Sequence, residues 1–284
     1  MQATNDIELR ICKTWDECVQ CEEAQKQIWE MPDFRDVVPA SFLVTAAKNG
    51  GILIGAFQHS AMVGFAFGVL GSEGIGVARR LKHTSHMLGV LPQARAHGLG
   101  AHLKWLQRQV ALEQGLDLMT WTYDPLQAVN AQLNLTRLGA IARRYLRDAY
   151  GEMTDALNAG IASDRFEVEW FLKHERVSAR ARALDLAETL PDAAAAFEID
   201  WTAQGLPYIA AAQLPTEERA RIEIPADLNQ LKARDRALAA EWRAQTRVMF
   251  ERAFAAGYIA YNVSHWRDAL GRARAAYLLR RGDF

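Results

Sequence analysis

Cysteine is scarce in this chain: three stand at positions 12, 18 and 21 of 284 residues, an odd set without distant partners, which excludes a disulfide framework. Cys18-x-x-Cys21 has the spacing of zinc and redox pairs. A zinc site needs two further ligands, however, and a redox pair opens a helix after a strand. Here the pair falls inside a helix predicted from Thr14, where ordinary packing accounts for it, and no metal is expected. Net charge is missing as well. With 33 basic against 34 acidic side chains, the surface has no net field to steer nucleic acid or an anionic membrane, so any basic site must be local. No run of 18 apolar residues occurs, and Met1 to Asp6 form neither a basic nor an apolar leader, so a cytoplasmic location is expected. The absence of Gly-Lys-Ser/Thr excludes a Walker A loop. The absence of G-x-G-x-x-G after a strand excludes a dinucleotide fingerprint.

What is present is one organising stretch. Residues 83–91 read as a strand that stops at Pro92 and passes through Arg95, Ala96, His97 and Gly98 into a helix beginning Leu99-Gly100-Ala101. Glycines 98 and 100 lack the Cβ that would keep a ligand off the backbone, and the first turn of a helix has amides without internal partners. With Arg95 beside it and the helix dipole behind it, this turn favours an anion such as a pyrophosphate. The helix places Leu99, Leu103, Leu106 and Val110 on one stripe, leaves Lys104, Arg108 and Gln109 off it, and closes at Gly115. A strand over residues 118–123 follows.

The preceding chain supplies a strand at 7–11, then a helix opened by a Thr14-x-x-Glu17 capping box and running toward Trp29. A second helix spans about 39–49, and a hairpin has strands at 51–57 and 62–70. In the second of these strands Val63, Phe65, Phe67 and Val69 face one way, and Gly64, Ala66 and Gly68 the other. Residues 71–82 read as a glycine-rich inter-strand connection rather than a ligand cradle, because no helix start follows. Past residue 123 come a short helix over 128–138 closed by Gly139, a strand over 141–149, and alternating residues 166–172. The composition then turns alanine- and charge-rich from Ser178 to Ala196, with Pro191 breaking a helix, and the domain boundary is placed near 176. The remainder predicts strands at 221–224, 258–263 and 275–279 and one long helix over 227–255.

Arg95-x-x-Gly98-x-Gly100, entered through Val90-x-Pro92, resembles motif A of the GNAT N-acetyltransferase superfamily, and the element order matches that family. Trp121-Thr122-Tyr123-Asp124-Pro125-Leu126, the pair Asn130 and Asn134, and Ser163-Asp164-Arg165-Phe166 resemble a bacterial branch of predicted GNAT acetyltransferases. The resemblance covers residues 7–174 well and the tail loosely. It implies an α+β fold with a mixed, mostly antiparallel twisted sheet flanked by helices, and a smaller C-terminal α+β unit. Residues 1–176 would then be the acyl-CoA-binding domain. Residues 177–284 would be a capping, acceptor-site or dimerisation domain, or a degenerate repeat of the first.

It further implies transfer of acetyl from acetyl-CoA, or another small acyl-CoA, to a primary amine of a small molecule. A catalytically silent acyl-CoA-binding module and an N-succinyltransferase acting on amino acids are the alternatives. The cofactor-binding residues would be Leu88 and Val90 through their main chains, with Arg95, Ala96, His97, Gly98, Leu99, Gly100 and Ala101 at the turn. Asn130 and Asn134 either hydrogen-bond the pantetheine arm or are simple helix polarity. His86 matches the histidine that relays the amine's proton in arylalkylamine acetyltransferases; the other reading is a hydrogen-bonded core histidine. The chain departs from the family at Ala96, usually glycine, and at Leu135, where many members have a tyrosine acid. Tyr123 is then a weaker candidate acid.

Overall fold

The computed structural model describes residues 7–31, 34–74, 76, 79–95, 98–151, 161–182 and 193–282. The chain forms two compact units, Met1–Trp121 with Trp170–Ser178, and Thr122–Glu169 with Ala179–Phe284. Residues 179–284 therefore share a unit, and residues 122–169, which the sequence groups with the first domain, lie in it with them. Both units mix helices with mostly antiparallel strands. Among the described residues no helix is long and apolar enough to cross a membrane.

The first unit contains β1 (Ile7–Ile11), α1 (Trp15–Trp29), α2 (Ala40–Lys48), β2 (Ile52–Gln58), β3 (Ala61–Glu73), β4 (Arg80–Val90), α3 (Leu99–Glu113) and β5 (Leu118–Tyr123). Its strands lie in the order β1-β2-β3-β4-β5. All pairs are antiparallel except β4 with β5. The capping box forms as expected: Thr14 Oγ1 accepts from the Glu17 amide and a Glu17 carboxylate oxygen accepts from the Thr14 amide. Cys18 and Cys21 lie on α1 and are buried with Cys12; burial raises all three thiols, Cys12 to about 12. Such thiols carry almost no thiolate at neutral pH and are unreactive.

The two faces of β3 receive different neighbours. Phe65 meets Trp29 of α1 edge-on at 5.9 Å and Phe67 meets Phe42 of α2 at 6.3 Å. On the glycine face, a Cβ at Gly68 would fall 2.4 Å from His83 Nε2, which is bonded to Gln107 of α3. The connection predicted over residues 71–82 is much shorter, because β3 and β4 pair as far as Glu73 and Arg80. Glu73 lies near Arg80 and Lys82, and a Cβ at Gly71 would fall 2.4 Å from Thr84 Oγ1, so this glycine belongs to the ladder and not to a loop.

The second unit contains α4 (Ala128–Ala131) continuing as a π-helix (Gln132–Arg137), β6 (Ile141–Leu146) and the first part of β7 (Arg165–Phe171). After α5 (Glu175–Ala181) come β8 (Ala194–Ala195), β9 (Phe197–Trp201), β10 (Pro207–Ala212), β11 (Arg219–Ile224), α6 (Leu228–Arg234), α7 (Arg236–Ala255), β12 (Tyr258–Arg267) and β13 (Ala273–Arg281). The strands run β7-β6-β12-β13-β11-β8, with β9 and β10 as a separate hairpin. Phe166 centres an aromatic core, 4.7 Å from Phe250 and 5.3 Å from Tyr277.

The single helix over 227–255 is two, because Asp235 adopts extended backbone (φ −153°, ψ 98°) and caps α7 by accepting from the Leu238 amide. The strand expected to reach 149 ends at Leu146, before Asp148 at φ +44°. Strands β8 to β10 were not expected. Pro191 lies outside the described residues.

Candidate functional site

Strands β4 and β5 pair at only two positions, His83 with Met119 and Thr84 with Thr120. Beyond them β4 continues for six residues to Val90, paired with β3 on its other side. The Leu91 amide donates to the Val63 carbonyl, which fixes the phase of that antiparallel ladder. Residues 89 and 87 then exchange bonds with β3, and the main-chain groups of Leu88 and Val90 turn away from it, toward the side where β5 has left. These are the two residues that the family resemblance implies bind the cofactor through their main chains.

The ladder also holds a bulge. Phe67 pairs with Met87 but Gly68 pairs with Ser85, so His86 is the extra residue on β4. A bulge re-aims side chains locally. His86 stands on the Phe67 face, ring to ring at 6.3 Å, and keeps contact with solvent while its surroundings desolvate it enough to lower its pKa. His83 lies on the opposite face, against α3, fully buried. Burial first, and the nearby Lys104 second, depress its pKa to about 3. The neutral imidazole Nε2 accepts from the Gln107 side-chain amide at 3.1 Å. His83 and His86 are thus divided by the sheet. No group of three or more histidine, cysteine or carboxylate side chains suited to a metal occurs among the described residues.

After Leu91 the chain makes a 3-10 turn over Pro92–Ala94 and reaches Gly98, the N-cap of α3. Gly98 has φ +71°, a left-handed conformation that strains any residue with a Cβ. Its carbonyl accepts from the amides of Ala101 and His102 at 2.8 and 3.3 Å. Leu99 is buried and anchors the turn, while Gly100 and Ala101 are half-exposed. No acidic residue occupies the first turn of α3, so its positive end is uncompensated there. The Arg95 guanidinium reaches back to the Val90 carbonyl, 3.1 Å away, and ties the turn to the end of β4. Ala96 and His97 lie outside the described residues.

The remaining sequence candidates belong to the second unit. The Tyr123 hydroxyl is buried 3.1 Å from that of Tyr277, and burial raises its pKa far above the usual phenol value, so it is a core group in this structure and not a poised acid. Asn130 is exposed and Asn134 buried, so the two sit in different environments although they are one turn apart. Leu135 is fully buried as core.

Sequence reasoning missed the polar cluster under the strand fork. The buried face of α3 is Leu99, Leu103, Lys104, Gln107 and Ala111, not the purely apolar stripe expected. Lys104 Nζ donates to Ser85 Oγ at 3.0 Å and Gln107 Oε1 at 2.9 Å, and lies 3.8 Å from the ring centre of Trp121. The available signal was positional: Lys104 and Gln107 are three apart and bracketed by Leu103 and Ala111.

No protein-family model matches this sequence, nor does any curated protein. Solved structures do. An acetyltransferase candidate from Salmonella typhimurium, with its cofactor acetyl-CoA, is 16% identical, with 60% of this chain and 97% of that one covered and a TM-score of 0.48. A GNAT-family acetyltransferase from Streptococcus pneumoniae is 14% identical over 58% of this chain and 98% of its own, TM-score 0.46. The ribosomal-protein-S18-alanine N-acetyltransferase of Escherichia coli is 12% identical over 59% and 95%, TM-score 0.45.

Proposed function

We propose that this protein is an acyl-CoA-dependent N-acyltransferase that moves acetyl from acetyl-CoA to a primary amine of a small molecule. The observation that carries the reading is the strand fork: β4 offers the outward main-chain groups of Leu88 and Val90 and runs directly into a glycine-capped helix start. The residues fit such a co-substrate. Gly98 and Gly100 leave room for a pyrophosphate at the first turn of α3, and Arg95 adds positive charge beside it. Acetyl-CoA supplies the activated thioester. Leu88 and Val90 would orient the pantetheine arm and donate a main-chain hydrogen bond where negative charge develops on the carbonyl oxygen, a contribution of roughly 10²–10³ in rate. His86, neutral at pH 7 because its pKa lies below the usual value, would take a proton from the substrate ammonium directly or through one water and so free the amine to attack. A thiol pKa of about 8.5 lets the thiolate leave unassisted.

Calorimetric titration with acetyl-CoA tests this. Gly98→Asp and Gly100→Asp each place a side chain and a negative charge at the turn and should weaken binding about tenfold or more; unchanged affinity in both folded variants removes the basis of the assignment. One observation favours a second reading, a silent acyl-CoA-binding module: Leu135 is core and the Tyr123 hydroxyl is sequestered by Tyr277. Thiol release from acetyl-CoA and succinyl-CoA across a panel of amines and amino acids separates the two, since binding without turnover selects the silent module.

A further inference from the structure

Lys104 is 2% exposed, yet among the described residues no carboxylate faces it. Its surroundings are Ser85 of β4, Met119 and Trp121 of β5, Gln107 of its own helix, Trp170 at 5.6 Å, and His83, which shares Gln107 with it. Burial holds its pKa well below the ordinary lysine value. For core filling alone, an apolar side chain of the same length avoids that desolvation cost. The amine does something that an alkyl chain cannot, which is to hold two strands at fixed distances. Its nitrogen is 3.0 Å from Ser85 Oγ on β4 and 3.4 Å from Met119 Sδ on β5. Ser85 directly follows the last recorded β4 position joined to β5, and Met119 and Trp121 flank Thr120, its partner. Lys104 therefore sits in the crotch of the fork and touches both prongs. It also lies on the helix whose first turn forms the phosphate site.

Resting on the acyl-CoA reading above, we propose that Lys104 is a positioning residue: its amine sets the separation of β4 from β5 and thereby presents the main-chain groups of Leu88 and Val90 to the pantetheine and thioester. The Lys104 amine bonds Ser85, Gln107 and Met119 and no described residue of the phosphate turn, which Gly98 and the start of α3 build. The two halves of the ligand should then respond differently. Calorimetry on the full chain compares acetyl-CoA with its nucleotide portion, 3′-phospho-ADP, for wild type, Lys104→Met and Ser85→Ala. Lys104→Met keeps the stem and removes the donors; Ser85→Ala removes only the β4 tether and is the milder variant. Acetyl-CoA affinity should fall about tenfold in Lys104→Met and by a smaller factor in Ser85→Ala, as expected for the loss of roughly one hydrogen bond. Affinity for 3′-phospho-ADP should stay within about twofold, since the turn is untouched.

Equal weakening of both ligands would make Lys104 a structural residue and overturn the proposal, as would unchanged acetyl-CoA affinity or a failure of both variants to fold. If wild type binds neither ligand, the acyl-CoA reading itself falls and takes this inference with it. That outcome is distinct from all the others because it appears before any substitution is made.

Discussion

Three residues apart on one strand, His83 and His86 receive opposite environments because the strand presents them to opposite faces. His83 is enclosed against α3 and stays neutral down to about pH 3; His86, lifted out by the bulge, keeps solvent contact and has a pKa lowered only by partial desolvation. The consequence for activity has a sign. A base must be neutral to accept a proton, and a lowered pKa keeps it neutral further into acid. The acidic limb of kcat/KM should therefore fall below the usual histidine value of about 6.5. His86→Ala should reduce turnover on the order of 10²–10⁴-fold with acetyl-CoA affinity nearly intact, and should remove that limb. Activity against pH and the unfolding midpoint, taken on one preparation, check this. A stable, fully active variant sinks the assignment. At this scale the alternation of a strand suffices to put residues 83 and 86, three apart, on opposite faces, whereas Lys104 was not legible. A lysine beside an apolar stripe is normally a solvated edge, and only the three-dimensional approach of Ser85, Met119 and Trp121 turns it inward.

Elements were legible where a local signal fixes them and illegible where a tertiary pair does. Thr14 and Glu17 announce α1, and Gly115 and Gly139 close their helices at φ +80° and +75°. The ends of β3 and β4 were missed because their last three pairs rest on Glu73 meeting Arg80 and Lys82, contacts that no local pattern encodes. The bulge at His86 was equally hidden, since it exists only as a mismatch between two strands. The break at Asp235 was readable in principle: an aspartate three residues before Leu238 is an N-cap signal, overridden here by a helical periodicity that continues through it. Its side chain accepts from the Leu238 amide at 2.9 Å while the Asp235 amide itself donates to the Leu231 carbonyl at 2.7 Å, so one residue ends α6 and begins α7. Asp235→Ala should cost about 1 kcal/mol through the lost cap. Asp235→Asn, which keeps the acceptor, should cost far less. Urea midpoints of the two variants make the comparison, and equal losses would show that the cap contributes nothing.

At the scale of the whole molecule, the question is where the chain divides. Composition places the boundary near 176, because alanine and charge replace strand-like alternation there. Packing groups the residues differently: 122–169 share a unit with 179–284. Phe166 is fully buried among Phe250, Phe254 and Tyr277, three residues from the C-terminal half. The buried Asp164 carboxylate is bonded by Arg247 at 2.7 Å and by Tyr145 at 2.6 Å, and Asp124 is held by Arg243 at 2.6 Å. Ending the chain after Ser178 removes every one of these C-terminal partners together with β12, which pairs with β6. Each large apolar side chain so uncovered loses about 1.5–3 kcal/mol of burial, and a few such losses equal the roughly 5–15 kcal/mol that a whole domain has to spare. The truncated chain should therefore lack a cooperative urea transition, and limited proteolysis should cut it within 122–151 or 161–169 while sparing those stretches in the full chain. If it instead unfolds cooperatively and binds acetyl-CoA with the affinity of the full chain, then residues 122–169 fold without their C-terminal partners. The compositional boundary near 176 would in that case be the physical one.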